Sequence, residues 1–475
     1  MIILTLVRLL VKQANLMYYV KAMGKSKRVL SSKAAEFAGE AVTIKGWVRI
    51  RRDHGKLIFL DIRDKNGIIQ VVVNPRVSEE AYKVAQELRP EFAVEITGNV
   101  NKRPENAINK DIASGTIEIE ATEIKILARA ETLPFDTGEA KLNLELPTLL
   151  DHRSLTLRHP SIAEIFKVQE AVAGSFRSAA EKLGCVEIFV PTISASATEG
   201  GAEVFKLDYY GHNAYLTQSP QLYKQIMVGV FERVYTFSHA YRAEPSVTAR
   251  HLAEVVQLDV EIGFIDSFTE LLDVLELVGT TMVSEVSQKF AKLLAAQGVE
   301  VPLIPPQIPR LTLKEAQDII FKFSQGERDP RGEQDLNATD EKFICEWARK
   351  EKQSDFVTVT HFPTKKRAFY SLPDPSNPEV SLSYDLLYKG LELASGSQRV
   401  NDYNQLIGIM KDRKLNPQSF EMYLQAFKYG IPPEGGFSFG LERLTMKILE
   451  LSNVREASLF PRDMERVDER FSDSK

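Results

Sequence analysis

Residues 238–264 read Ser-His-Ala-Tyr-Arg-Ala-Glu-Pro-Ser-Val-Thr-Ala-Arg-His-Leu-Ala-Glu-Val-Val-Gln-Leu-Asp-Val-Glu-Ile-Gly-Phe. From Val255 the pattern alternates: Val256, Leu258, Val260, Ile262 and Phe264 point one way, Gln257, Asp259 and Glu261 the other. That is a strand returning from a basic loop that carries Arg250 and His251. Arg242 and Glu244 lie two apart before the loop, so on a strand they share a face. Guanidinium groups around a carboxylate-bearing strand suit a triphosphate and an amine-bearing ligand. Alternation alone describes an ordinary hairpin with a charged outer face; what decides is the rest of the chain.

A chain of 475 residues is long enough for two or three domains. With 44% hydrophobic and 26% charged residues it can bury a sizeable core, which excludes global disorder. The net charge of −5 leaves a nucleic-acid partner open, because local basic patches decide that. Two cysteines, Cys185 and Cys345, make a disulfide framework or cysteine metal site implausible and fit the cytoplasm. Residues 1–28 read as an extension. Its apolar start, Met1–Leu10, is too short to span a bilayer, and Met17 and Met23 are alternative starts. No membrane partner is expected.

Strands are predicted over Ala41–Val48, Leu57–Arg63, Ile68–Asn74, Phe92–Val100 and Thr116–Ile126, with a helix at Ser78–Leu88 after the third. Asp53-His54-Gly55 and Asn66-Gly67 mark turns. Five strands with a helix there describe a small oligonucleotide-binding (OB) type barrel over 29–128. One face would carry Trp47, Arg49, Arg51, Arg52, Phe59, Arg63 and Gln70. Arginines beside an exposed ring supply charge for phosphates and a stacking surface for single-stranded bases. A proline-marked linker covers 129–159, and a long helix, Ser161–Leu183, leads into a strand, Cys185–Val190. Residues 267–354 read as a mostly helical insertion between strands.

Four more elements carry chemistry. Ala195–Phe205 holds Glu199 before a glycine pair, suited to a mobile loop. Gln218-Ser-Pro-Gln-Leu-Tyr-Lys-Gln opens a helix, with Ser219 as cap, Pro220 first, and Gln221 and Lys224 one turn apart. A two-residue turn at Lys389-Gly390 would put Asp385 and Glu392 on one face, and that strand continues to Ser395 and Arg399. Gly435-Gly-Phe-Ser-Phe-Gly-Leu-Glu-Arg runs into a helix whose first turn holds Arg443, an anion site.

Together these resemble a class II aminoacyl-tRNA synthetase. The helix and strand ending at Pro191 resemble motif 1, which forms the dimer interface. Tyr241-Arg-Ala-Glu with Arg250-His resembles motif 2, and Gly435–Arg443 resembles motif 3. Barrel first is the order of the aspartate, asparagine and lysine subgroup. The lysine-bearing helix, Ser-Gly-Ser-Gln-Arg at 395–399 and Leu-Phe-Pro-Arg-Asp at 459–463 resemble the aspartyl family in its archaeal and eukaryotic form. The implied fold class is α+β: the barrel, then an antiparallel-sheet catalytic domain over 160–475 with flanking helices.

The resemblance implies residue roles. Lys224 and Arg399 would grip the side-chain carboxylate of L-aspartate. Glu199, Gln221 and Asp259 would hold its ammonium group, with Ser219 nearby in the aspartate site. Arg242 would contact the α-phosphate of ATP and, with Arg443, act in catalysis. Glu244 would meet the adenine amine, and Arg250, His251 and Arg443 the distal phosphates. Asp385, Glu392 and Ser395 would site Mg²⁺, Glu392 also contacting ATP. In the barrel, Phe59 would stack on the middle anticodon base, with Arg52, Gln70 and Glu118 as further contacts.

The barrel, with Arg51-Arg-Asp-His-Gly, looks bacterial, whereas the catalytic region looks archaeal and leaves no room for the large extra domain of the usual bacterial enzyme. His54 stands where bacterial relatives that charge both tRNA(Asp) and tRNA(Asn) carry histidine, so relaxed tRNA choice is expected. An asparaginyl ligase, expected to lack Lys224, and a non-catalytic nucleic-acid-binding relative, expected to lack the motif arginines, are the alternatives. A cytoplasmic homodimer is the implied assembly.

Overall fold

The computed structural model describes residues 28–110, 112–139, 141–195, 203–245 and 248–471. The chain forms two compact units, Met1–Leu144 with His159–Ser161, and Glu145–Arg158 with Ile162–Lys475. The extension proposed for residues 1–28 lies outside the described residues, save Arg28, which donates to the Lys45 carbonyl.

In the first unit five strands close into a barrel, ordered β1-β2-β3-β5-β4. They are β1 (Ala41–His54), β2 (Leu57–Asp64), β3 (Gly67–Val73), β4 (Ala93–Lys102) and β5 (Ile117–Ala128). Strict alternation explains closure: Ile58, Leu60 and Ile62 fill the interior while Phe59, Asp61 and Arg63 stay on the outer face. The helix Glu79–Glu87 sits between β3 and β4, its first turn capped by the Ser78 side chain, which accepts from the Ala81 N–H.

In the second unit an eight-stranded sheet runs β12-β13-β16-β17-β18-β11-β10-β6. Its members are β6 (Val186–Glu187), β10 (Arg233–Tyr241), β11 (Glu254–Gly263), β12 (Arg310–Thr312), β13 (Phe356–Thr360), β16 (Ser383–Tyr388), β17 (Leu391–Gln398) and β18 (Glu434–Gly440). Antiparallel pairing joins β13 through β10; only the two edge strands run parallel to their neighbours. A separate small sheet holds β7 (Ile193–Ser194), β8 (Lys206–Tyr209) and β9 (His212–Leu216), and β14 (Pro373–Asp374) pairs with β15 (Asn377–Ser381).

Several expectations are corrected. The strand expected over Cys185–Val190 shrinks to Val186–Glu187: Cys185 is drawn into the core, and past Glu187 the Ile188 N–H still donates to the Tyr235 carbonyl. Phe264 is not part of the apolar face: β11 ends at Gly263 and Phe264, at φ +55°, is 64% exposed. Residues 267–354 are mostly helical, and the helix Phe268–Lys289 is built into the domain, with Leu271, Leu275, Val278 and Met282 in the main core under the sheet. The second half of the expected linker folds into short helices, and buried Arg153 there donates to the carbonyls of Glu456, Ser458 and Leu459. Among the described residues no helix is long and apolar enough to cross a membrane. Both cysteines are free and buried, and burial pushes their thiols up, Cys185 to about 11 and Cys345 to about 12.

Candidate active site

Residues directly opposed in antiparallel strands project to one face. Asp385 opposes Ser395, Ser395 opposes Ser438, and Ser438 opposes Asp259. Two residues along, the same face carries Ser397, Gly436 and Glu261. The alternate rows, with Tyr384, Phe437 and Val260 in one and Leu386, Phe439 and Leu258 in the other, point into the core. So the polar face of β11 is not solvated: Gln257, Asp259 and Glu261 are all buried.

The Lys389-Gly390 turn has two residues, both at positive φ, as a tight hairpin requires. An even register would then put Ser395 on the face opposite Asp385. A bulge shifts it, with Leu387 opposing Glu392 but Leu386 opposing Ala394, so Leu393 is extra. One added residue brings Asp385, Glu392 and Ser395 to a common face.

Lys224 and Arg399, from a helix and from the end of β17, are 1% and 4% exposed. The Lys224 ammonium donates to Asp259 Oδ1 at 2.8 Å and lies 3.3 Å from Glu261 Oε2. Arg399 Nε donates to Glu261 Oε1 at 2.7 Å, and its Nη2 to Gln221 Oε1 and the Gly436 carbonyl at 3.1 and 3.0 Å. Burial pushes the Glu261 carboxyl up, but Arg399 and Lys224 outweigh it and hold the group below its ordinary value. Burial pushes Asp259 up, and Lys224 only partly offsets that because Glu261 repels from the same side. The helix begins at Gln221, not Pro220. Pro220 is its cap residue, and Ser219 Oγ accepts from the Gln221 N–H at 3.2 Å.

Arg242 and Glu244 are not on a strand. β10 ends at Tyr241, and the Arg242 N–H donates to the Ala253 carbonyl across the loop base. Arg242 stands where three cavities meet. One of about 230 Å³ is lined by Ser219, Gln221, Asp259 and Arg399. One of about 110 Å³ is lined by Arg250, His251, Glu392 and Arg443. A third, of about 550 Å³, reaches Glu244, Leu252 and Val467. Arg242, Arg250 and Arg443 line the second cavity and make it electropositive, and burial together with those three charges pushes the His251 imidazole down. Glu199 lies outside the described residues.

Three neighbours were not singled out from sequence. Glu261 sat in the alternation without a role. Arg367 donates to Asp385 Oδ2 at 2.5 Å and to Ser395 Oγ at 3.1 Å. Glu341 holds Arg250, with Nη2 at 2.7 and 2.8 Å from its two oxygens. Both come from segments distant in sequence, and only the period-2 signal could have flagged Glu261.

A cavity that sets Asp259 among Lys366, Arg367 and Arg399 meets an arginine-lined one at the Arg242 guanidinium, an arrangement suited to joining an amino acid to a nucleotide. Residues 145–464 match the family model for class II tRNA synthetases (D, K and N), and residues 42–127 match that for the OB-fold nucleic acid binding domain. The chain belongs to the class II aminoacyl-tRNA synthetases of the aspartate, lysine and asparagine group. This synthetase is 38% identical over 438 residues to the aspartate–tRNA(Asp/Asn) ligase of Archaeoglobus fulgidus, covering 91% of this chain and 97% of that one. It is 39% identical over 441 residues to the aspartate–tRNA(Asp/Asn) ligase of Thermus thermophilus, covering 93% and 99%. The aspartate–tRNA(Asp) ligase of Pyrococcus horikoshii is 36% identical over 436 residues, covering 91% and 97%. Among solved structures, the asparaginyl-tRNA synthetase of Pyrococcus horikoshii with asparaginyl-adenylate superposes with a TM-score of 0.82 at 32% identity, covering 91% and 97%.

In the synthetase's barrel, Arg52 opposes Phe59 and Asp61 opposes Gln70, so these four share the outer face. Arg52 is bidentate to Asp61 at 2.9 and 2.8 Å, and Phe59 meets the His54 ring edge-on at 6.1 Å. Gln70 donates to Glu118 at 3.2 Å. Arg51 does not share the outer face. It opposes interior Leu60, and its guanidinium turns aside to Asp53 and the Gln86 carbonyl.

Proposed function

We propose that this synthetase is an aspartate–tRNA ligase, activating L-aspartate with ATP and transferring it to the terminal adenosine of tRNA(Asp) and of tRNA(Asn). The observation that carries the amino-acid assignment is the pair of buried cations gathered on Glu261 behind the 230 Å³ cavity. A ligand carboxylate would complete their coordination. Once Asp259 turns to the ligand's ammonium group, Lys224 and Arg399 are left with Glu261 alone, so a ligand carboxylate restores the balance and asparagine does not, a mismatch worth on the order of 10⁴ in discrimination. The arginines of motifs 2 and 3 are all present, which counts against a retired catalytic domain.

No side chain need act as nucleophile. With ATP in the electropositive cavity, the aspartate α-carboxylate attacks the α-phosphorus and pyrophosphate leaves. Arg242, shared by both cavities, stabilises charge on the α-phosphate. Gln221 and Asp259 orient the ammonium group, and positioning supplies much of the rate. A ribose hydroxyl of the terminal adenosine then attacks the aspartyl carbonyl and AMP leaves.

The residues fit a hard cation. Asp385, Glu392 and Ser395 offer only oxygen ligands; Arg367 holds Asp385 Oδ2 and Ser395 Oγ, while Asp385 Oδ1 is buried without a hydrogen-bond partner among the described residues. Mg²⁺ held there would neutralise phosphate charge.

His54 at the tip of β1, and the dual tRNA names of two relatives, support charging of both tRNAs. Phe189 after β6 is 88% exposed, with Val186 and Ile193 also open, which supports pairing with a second copy through motif 1. The two free, buried thiols support a cytoplasmic location. The deciding experiment is pyrophosphate exchange with aspartate against asparagine and lysine, followed by charging of both tRNA transcripts. Exchange driven by asparagine instead would replace the assignment. Charging of tRNA(Asp) alone would restrict the tRNA choice.

A further inference from the structure

The guanidinium of Arg250 is held from behind. Glu341 lies in the first turn of the helix Ala338–Lys352 and is 5% exposed. Its two carboxylate oxygens accept from Arg250 Nη2 at 2.7 and 2.8 Å. One of them also accepts from the backbone N–H of Glu392 at 3.1 Å. The Nε of Arg250 is buried and has no hydrogen-bond partner among the described residues, and Arg250 lines the same cavity as Glu392 and Arg443. One carboxylate thus ties down both a cation and a strand of the electropositive cavity while leaving a donor of that cation unsatisfied.

The helix carrying Glu341 is well anchored. Its start is a reciprocal cap between Asn337 and Asp340, and Asp340 accepts both Nε and Nη2 of Arg328 at 2.7 and 2.8 Å. Ile344, Cys345 and Ala348 pack with Val357, Val359 and Leu387. Glu341 therefore has little freedom, and a fixed carboxylate fixes the guanidinium it grips.

We propose that Glu341 is a positioning residue for the triphosphate: it fixes the Arg250 side chain in the lining of the cavity and fixes Glu392 beside it, so that the helix Ala338–Lys352 tunes ATP affinity. The proposal rests on the reading of that cavity as the nucleotide site. A carboxylate that merely competed with phosphate for Arg250 would act in the opposite sense.

The test is equilibrium binding of ATP with Mg²⁺ to the full chain by calorimetry, alongside aspartate-dependent pyrophosphate exchange. Glu341→Gln removes the charge and keeps the shape. It is expected to weaken ATP binding about tenfold and raise the ATP KM similarly, with kcat and the aspartate KM within about twofold of the parent. Arg250→Ala combined with Glu341→Ala is expected to lose less ATP affinity than the sum of the two single losses, because the larger part of the Glu341 effect runs through Arg250. That double variant leaves no unpaired charge and serves as the folded control if Glu341→Ala alone is unstable. Unchanged or tighter ATP binding in Glu341→Gln, or additive losses in the double variant, would overturn the proposal. Absence of aspartate-dependent exchange in the parent would count against the amino-acid assignment, and the binding arm would still decide the role of Glu341.

Discussion

Lys224 and Arg399 share a single carboxylate. The ammonium lies 3.3 Å from one oxygen of Glu261 and the guanidinium Nε 2.7 Å from the other. With Asp259 the cluster holds two positive and two negative buried side chains, so removing one member leaves a buried charge uncompensated. Lys224→Met is expected to cut aspartate-dependent exchange by on the order of 10³–10⁴ and to lower stability by roughly 3–5 kcal/mol. Exchange assays and urea unfolding measure the two effects. An aspartate KM that stays at the parent's value would separate Lys224 from the side-chain site.

Gly436 is where β18 lets that cluster approach the backbone. A Cβ there would lie 2.2 Å from the Val260 carbonyl oxygen and 2.4 Å from Glu261 Oε2. Gly436→Ala must push Glu261 away from Arg399, and a displacement near 1 Å costs about a hundredfold in rate. We expect at least that loss in exchange, with the aspartate KM rising. A fully active Gly436→Ala protein would show that the strand relaxes without moving Glu261.

Glu434 is fully buried at the start of β18. It accepts from Gln225 at 2.8 Å, and its second oxygen has no hydrogen-bond partner among the described residues. Burial, reinforced by Glu261, pushes its carboxyl well above the ordinary value of 4.5. The folded state therefore keeps a proton that the unfolded chain releases. Stability from this group is complete below the unfolded pKa and declines as pH rises toward the folded value, by up to about 1.4 kcal/mol per pH unit. Glu434→Gln should abolish that slope, so its stability advantage over the parent widens from pH 5 to pH 8. Urea midpoints across that range test it, and parallel curves would mean that Glu434 is ionised in the fold.

The barrel and the β10–β11 hairpin were legible because their residues obey local rules. Alternation in β2 and β11, the Ser78 cap and the Lys389-Gly390 turn each rest on neighbours a few positions apart. What was not legible depends on distant partners. The bulge that turns Ser395 toward Asp385 has no signature in Leu386-Leu387 or Leu393, which are apolar like their neighbours. Arg367 and Glu341 carry no local pattern, and their roles exist only through Asp385 and Arg250, 18 and 91 positions away. The core role of the helix Phe268–Lys289 is not legible either, because charged residues interleave with its Leu271–Leu275–Val278–Met282 stripe.

Phe59 offers a test that leaves the catalytic unit untouched. It lies on the outer face of the barrel opposite Arg52, with Gln70 and Glu118 farther along the same face, and its ring edge meets His54. A ring there gives an unstacked base a platform worth about 1–3 kcal/mol. Phe59→Ala should therefore raise the KM for tRNA roughly 5- to 150-fold. Pyrophosphate exchange needs no tRNA, so it should stay within twofold of the parent. The ring leaves no core void, since Phe59 lies outside the interior formed by Ile58, Leu60 and Ile62. Both tRNA transcripts should suffer alike if they present the same middle base to this ring, whereas a change at His54 should alter their ratio. A Phe59→Ala protein that charges with the parent's tRNA KM would remove this face of the barrel from the anticodon site.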